Sequence, residues 1–347
     1  IVVQRPVTLL GHCAANVVID GPTGAAEGVV FARGAAASFD LRDVTIRGAA
    51  IGLRASEGAR VSARNVAIEG AQDIGVAAIG AGTTLRFERS VVRGTRPRAD
   101  GLSVGASLTE GAVGVFSESA LMDSGAMGVA LRTRDEGSSA SLGDVLLLGS
   151  NRAGEPSGLV GAIVLAASAA SLERVVVEGF TFEGIDSTAE EGMVGGSVEV
   201  RDAIIRSMRS RTPSGGAALA VQRQGAMDAE RVLIDDVQGF GGIASREGSL
   251  TIRSSVIRRV RSASAPGAGV GVNAAPQGSV ALDRVRVEAC RTGAAASEGA
   301  SLSVVDSAFV GMSEIGLLAS DPGTSSLLRP TGCATGAARR HASRLNC

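Results

Sequence analysis

The sequence predicts an all-β fold, a single-stranded right-handed parallel β-helix (solenoid) of about 12 coils. Three observations carry that expectation. A short strand-turn-strand unit recurs along the chain with apolar residues alternating at period two. The composition, with 48 Gly, 2% aromatic residues and neither Trp nor Tyr, suits thin stacked layers of small and β-branched side chains better than one thick core. A register set on apolar residues alone leaves opposite charges adjacent to one another along an outward column.

The unit is seen in SFDLRDVTIRG at 38–48 and LERVVVEG at 172–179: an alternating apolar pair, a polar turn, a short apolar strand, then Gly or Ser. Its last apolar residue gives the anchors Ile46, Ile68, Val92, Met122, Leu147, Val177, Ile205, Ile234, Ile257, Val287 and Val310, with Ile19 ahead of them. Two residues before them stand Val44, Val66, Ser90, Ala120, Val145, Val175, Ala203, Val232, Ser255, Val285 and Ala308, small or β-branched and on the same side of a strand. A second inward face comes five residues before the anchor, with Leu41, Phe87, Leu142, Leu172, Val200, Ile252, Leu282 and Val305. Variable segments after the anchors, at 94–101, 151–158 and 208–216, read as loops. A leucine-rich horseshoe needs a regular Leu and Asn spacing that this chain lacks, and helical repeats need a period of 3.6.

One residue after each anchor the outward column reads Arg47, Glu69, Arg93, Asp123, Leu148, Glu178, Arg206, Asp235, Arg258 and Glu288. Leu148 apart, this is a structural charge ladder. One residue before the anchor, Val91, Leu121, Leu146, Val176, Ile204, Leu233 and Val256 form an outward apolar stripe of about 29 Å at about 4.8 Å per coil. A stripe of that length is a candidate interface for a protein partner or a second copy, or a surface covered by the loops.

All 34 basic residues are Arg, intermingled with 35 acidic ones for a net charge of -1, so no sustained positive field is available for nucleic acid. The longest apolar stretch, Leu159 to Leu172, is too short to span a bilayer as a helix. The chain starts inside a strand-like pattern, which leads us to expect an upstream segment. Cys13 and Cys290 fall about 48 Å apart along the axis, too far to bond, whereas Cys333 and Cys347 flank a polar tail and are the disulfide candidates of an oxidising, extracytoplasmic compartment. The solenoid is expected over 1–320, with 321–347 as a C-terminal cap or tail.

The opening, IVVQRPVTLLG followed by NVVIDG, resembles the first coils of secreted pectin-lyase-like right-handed β-helix proteins, with Arg5, Pro6, Gly11, Asp20 and Gly21 in the places of that pattern. The resemblance implies a fold and allows an enzyme, since the superfamily includes polysaccharide lyases and hydrolases. The polygalacturonase-type hydrolases use clustered carboxylates, a Gly-His-Gly segment and an Arg-x-Lys segment. This chain has adjacent Asp235 and Asp236, a lone Gly11-His12-Cys13 and no Lys. Strand alternation turns the two aspartates to different sides. His12 and His341 stand alone, without metal-ligand spacing. No catalytic residue, cofactor or metal site is therefore expected. The reading that follows is a non-catalytic secreted or cell-surface scaffold, for adhesion or protein interaction. Its rival is a polysaccharide lyase or glycoside hydrolase, with polysaccharide as the weaker partner class.

Overall fold

The computed structural model describes residues 1–21, 28–97, 102–125, 128–149, 160–189, 193–210, 216–262, 269–297, 299–319, 325–329 and 332–334. It divides into two compact units, Ile1–Gly179 and Phe180–Cys347. Each is a right-handed parallel β-helix with three strand-bearing faces, the fold class the sequence predicts, and no helix occurs among the described residues. In the first unit one coil runs through Ile51–Ser56 on the first face, Arg60–Arg64 on the second and Ala67–Glu69 on the third. The next coil, through Ile74–Ile79, Thr84–Glu88 and Val91–Arg93, pairs with it in parallel on all three. In the second unit Ser249–Arg253 and Ser279–Asp283 stack likewise, as do Val256–Arg261 and Arg286–Glu288.

The anchors lie where the repeat puts them. Ile46, Ile68, Val92, Leu147 and Val177 in the first unit, and Ile205, Ile234, Ile257 and Val287 in the second, are buried, as is the second inward column from Leu41 to Leu282. Aromatic rings enter this thin core sparingly; Phe87 and Phe116 meet with tilted rings 5.9 Å apart.

Two anchors are displaced by one residue. Val92 pairs with Leu121 and Val287 with Phe309, so Leu121 and Phe309, both buried, replace Met122 and Val310 as anchors. Because side chains alternate, the slip exchanges faces. Leu121 belongs to the core and Ala120 takes its place in the stripe; Met122 takes the ladder place assigned to Asp123, which sits in the turn at φ 54°. The error comes from taking the last apolar residue of the unit: in both coils an apolar residue, Met122 or Val310, follows the true anchor, while the residue two before it is a buried serine, Ser119 or Ser307. These serines are hydrogen-bonded: Ser307 Oγ donates to Val305 O at 2.8 Å and accepts from Val285 N at 3.0 Å. Ser90 and Ser255 do the same in their own coils.

The turn between the second and third faces carries a column of left-handed residues with φ between 46° and 58°: Asp43, Asn65, Arg89, Glu118, Asp144 and Arg174 in the first unit, continuing from Asp202 to Asp306 in the second. A non-glycine residue in that region costs about 1 kcal/mol, least for Asp and Asn. Stacked turns recover part of it through side chains. Arg174 donates to both carboxylate oxygens of Asp144 at 2.8 and 2.9 Å, and Arg231 to both of Asp202 at 2.6 and 2.8 Å.

The first face, to which the sequence reading assigned no column, has its own inward columns, such as Leu53, Val76, Ala106 and Leu131, and enters through a glycine bend. A Cβ on Gly75 would stand 2.2 Å from Val92 Cγ1 and 2.6 Å from Gly105 O, so the coils approach too closely there for any side chain. At the C-terminal end, Ser325–Arg329 and Gly332–Ala334 pair with Ser301–Val305 and Ala308–Val310, so part of the expected tail is strand. The loop at 151–158, His341, Cys347 and the side chain of Cys333 lie outside the described residues, as do parts of the loops at 94–101 and 208–216. Cys13 and Cys290 are free thiols, and desolvation pushes Cys290 up to about 11.

Candidate functional site: a carboxyl pair on the first face of the second unit

Strand Glu183–Thr188 forms part of the first face of the second unit and pairs with Gly216–Gln222, Glu183 opposite Ala217 and Asp186 opposite Ala220. Strict alternation would put residues 183 and 186 on opposite sides. The glycine bend prevents this. Ile185 is fully buried in the core, and a Cβ on Gly184 would meet Ala218 O at 2.5 Å and the core side chain of Ile205 at 3.0 Å, so two consecutive residues face inward. Glu183 and Asp186 are thereby brought to one side of the strand, where their carboxyl groups hydrogen-bond to each other.

Both are nearly inaccessible, 6% and 3% exposed. Desolvation raises Glu183 well above the ordinary carboxylate range, and the charge and hydrogen bond of Asp186 raise it further. Desolvation also pushes Asp186 up to about 7, against the lowering effect of its hydrogen bond from Glu183. Both carboxyl groups therefore keep their protons to higher pH than ordinary carboxyl groups, because two carboxylates in contact in a desolvated site cannot both ionise readily. Gln222 Nε2 donates to Glu183 Oε1 at 3.3 Å, which leaves the other oxygen of Glu183 to carry the proton. Asp186 Oδ1 is buried and has no hydrogen-bond partner. An orphaned acceptor beside a proton donor is the arrangement of an acid and a base held ready at one place.

The residues singled out from sequence lie elsewhere, on the third face. In the charge ladder of the first unit, Glu69 accepts from Arg47 at 2.9 Å and also from Arg93. Burial pushes Glu69 up, and the two arginines outweigh it and hold it below the usual range. In the second unit Arg206, Asp235 and Arg258 follow one another in register, and Arg258 lies 3.0 Å from Asp235. Burial likewise opposes, and Arg259 and Arg258 overcome, the ionisation cost of Asp235. Glu178 is half-buried, and Glu288 pairs with Arg286 of its own strand. Asp236 occupies the turn at φ 55° and pairs with Arg209 and Arg261, so the two adjacent aspartates serve separate ion pairs. The stripe residues Val91, Leu146, Val176, Ile204, Leu233 and Val256 are half-buried on the outside of the third face. Ala67, Val91, Ala120 and Leu146 floor an open groove edged by Asn65, Arg89, Glu118 and Asp144.

Fold and site together define a parallel β-solenoid with a buried carboxyl pair on one face. No family model and no curated protein matches the chain. Solved structures similar to it include the A-module of the mannuronan C-5 epimerase AlgE4 of Azotobacter vinelandii, at 12% identity over 94% of this chain and 91% of that one, TM-score 0.40. The periplasmic alginate epimerase AlgG is similar at 8% identity over 86% and 76%, TM-score 0.36. The catalytic domain of a GH87 α-1,3-glucanase in complex with nigerose is similar at 11% identity over 93% and 62%, TM-score 0.36. The expectation of a non-catalytic scaffold is corrected here: the similar structures include two alginate epimerases and the catalytic domain of a glucanase by name. No helix among the described residues is long and apolar enough to cross a membrane.

Proposed function

We propose that the chain processes a polysaccharide by proton transfer at Glu183 and Asp186, outside the cytoplasm. The observation that carries the reading is two buried carboxyl groups on one side of a strand, both pushed above the ordinary carboxylate range, with Oδ1 of Asp186 unpartnered. The substrate class comes from the pectin-lyase-like resemblance of the opening coils. Glycoside hydrolysis uses carboxyl groups about 5 to 9.5 Å apart, with a sugar or a water between them. Groups in direct hydrogen-bond contact suit elimination better. Asp186 takes the proton from a sugar carbon as the carbon–carbon double bond forms, and Glu183 gives its proton to the departing glycosidic oxygen. Passage of the captured proton from Asp186 to Glu183 along their hydrogen bond then restores the starting state.

The test is turnover of a panel of anionic and neutral polysaccharides by the full chain, followed by the absorbance of the new double bond. Glu183→Gln and Asp186→Asn are each expected to lower turnover by about 100-fold or more, the contribution usual for a positioned acid or base. Full activity in both variants, or no turnover of any polysaccharide by the native chain, overturns the reading.

A further inference from the structure

We propose that Arg132 and Ser107, on the first face of the first unit, form a binding site for an oxyanion, a carboxylate, sulfate or phosphate group carried by a ligand. Among the described residues, the other half-buried guanidinium groups are compensated. Arg64, Arg134, Arg253 and Arg258 lie within ion-pair distance of Glu88, Asp135, Asp228 and Asp235. Arg54 stacks over the Phe31 ring, 4.9 Å from its centroid. Arg132 has neither. Its Nε and Nη2 converge on a single neutral acceptor, Ser107 Oγ, at 3.3 and 3.0 Å.

A charge drawn out of water is held where something repays its hydration, and an uncharged hydroxyl repays little. Desolvation accordingly lowers Arg132 from the ordinary arginine range; the positive neighbour Arg134 lowers it further, and the charges of Asp73 and Asp135 only partly oppose. With Nε and one Nη2 hydrogen turned to Ser107, the edge formed by Nη1 and Nη2 keeps a two-pronged donor set that matches the paired oxygens of an oxyanion. Ser107 and Arg132 are paired in register on neighbouring strands, Val104–Thr109 and Val129–Thr133, so rigid sheet holds the fork in place. Ser107 is 3% exposed, and its hydroxyl oxygen accepts from both arginine nitrogens.

The site is tested by titrating the full chain separately with sodium sulfate, inorganic phosphate and glucuronate, with chloride holding ionic strength constant, and following the Arg132 Nε–H resonance. Saturable shifts are expected with at least one probe, and the strongest identifies which oxyanion the ligand carries. Arg132→Gln should weaken binding by about tenfold or more, measured by competition, and Arg132→Lys, which keeps the charge and loses the fork, should also weaken it. Arg60→Gln, at an exposed arginine of the second face, should leave it unchanged. No saturable shift with any probe overturns the proposal, and so does equal binding by native protein and the Arg132→Lys variant. Should Arg132→Gln not fold, the lysine variant and Ser107→Ala carry the comparison. Binding is read without turnover, so the result is independent of the Glu183–Asp186 reading.

Discussion

Replacing Asp186 by Asn should change how stability depends on pH, by an amount that follows from the site. The carboxyl group titrates at an ordinary 3.8 when unfolded and is pushed up to about 7 when folded. Below about pH 4 both states hold the proton and the group contributes nothing to the pH dependence. As pH rises, the unfolded chain ionises while the folded chain keeps its proton, so the folded state loses stability steadily until about pH 7 and no further beyond it. The interval is about three pH units at about 1.4 kcal/mol each, on the order of 4 kcal/mol. Asn fills nearly the same volume, carries no ionisable proton, and removes one of the causes that raise Glu183. Exposed carboxylates held low by arginines, such as Glu57 and Asp144, act in the opposite direction as pH falls and are common to both proteins. The difference between them therefore isolates the pair. With no Trp or Tyr for fluorescence, urea unfolding followed by far-UV circular dichroism between pH 4 and pH 8.5 is the suitable assay. Asp186→Asn is expected to gain on the native protein as pH rises, with most of the gain between about pH 4 and pH 7. A difference that stays flat across that interval would refute the reasoning.

Two further substitutions probe the stacking. Leu121→Asp places a charge in the core and should abolish folding of the first unit, whereas Ala120→Asp, one residue away on the outside of the third face, should be tolerated within about 1 kcal/mol; circular dichroism and solution mass distinguish them, and the reverse result would restore the slipped register. Gly75→Ala should destabilise by about 1 to 3 kcal/mol in urea, because its Cβ would press on Val92 Cγ1 and Gly105 O; an unchanged midpoint would mean the glycine bend is not a close contact.

The fold was legible because the second and third faces obey period two and reuse the same side-chain classes in every coil. The ladder from Arg47 to Arg93 could be read because one-residue alternation fixes which side a charge takes. The register failed at Leu121 and Phe309, where a further apolar residue, Met122 or Val310, follows the anchor on the outward side, so the last apolar residue ceases to report the face. The first face was not legible. Its strands follow turns of variable length, and the bend at Gly184 breaks the alternation that would have paired Glu183 with a residue two away. The signal that could have found the pair is the glycine recurring at the same place in successive coils, Gly52, Gly75 and Gly105 in the first unit, Gly241, Gly271 and Gly293 in the second. Aligning on that glycine puts Glu183 and Asp186 on one side. The compensation of Arg132 was likewise invisible, since its missing carboxylate is a matter of which strands are neighbours.

The account depends most on two adjacent carboxyl groups keeping their protons to far higher pH than ordinary carboxyl groups. Carbon-13 NMR titration of the Asp186 side-chain carboxyl, assigned by comparison with Asp186→Asn, measures this directly. A midpoint at about 7, with the Glu183 carboxyl still protonated there, is the predicted result. A midpoint near 3.8, the ordinary value, with Glu183 ionising independently, would contradict it.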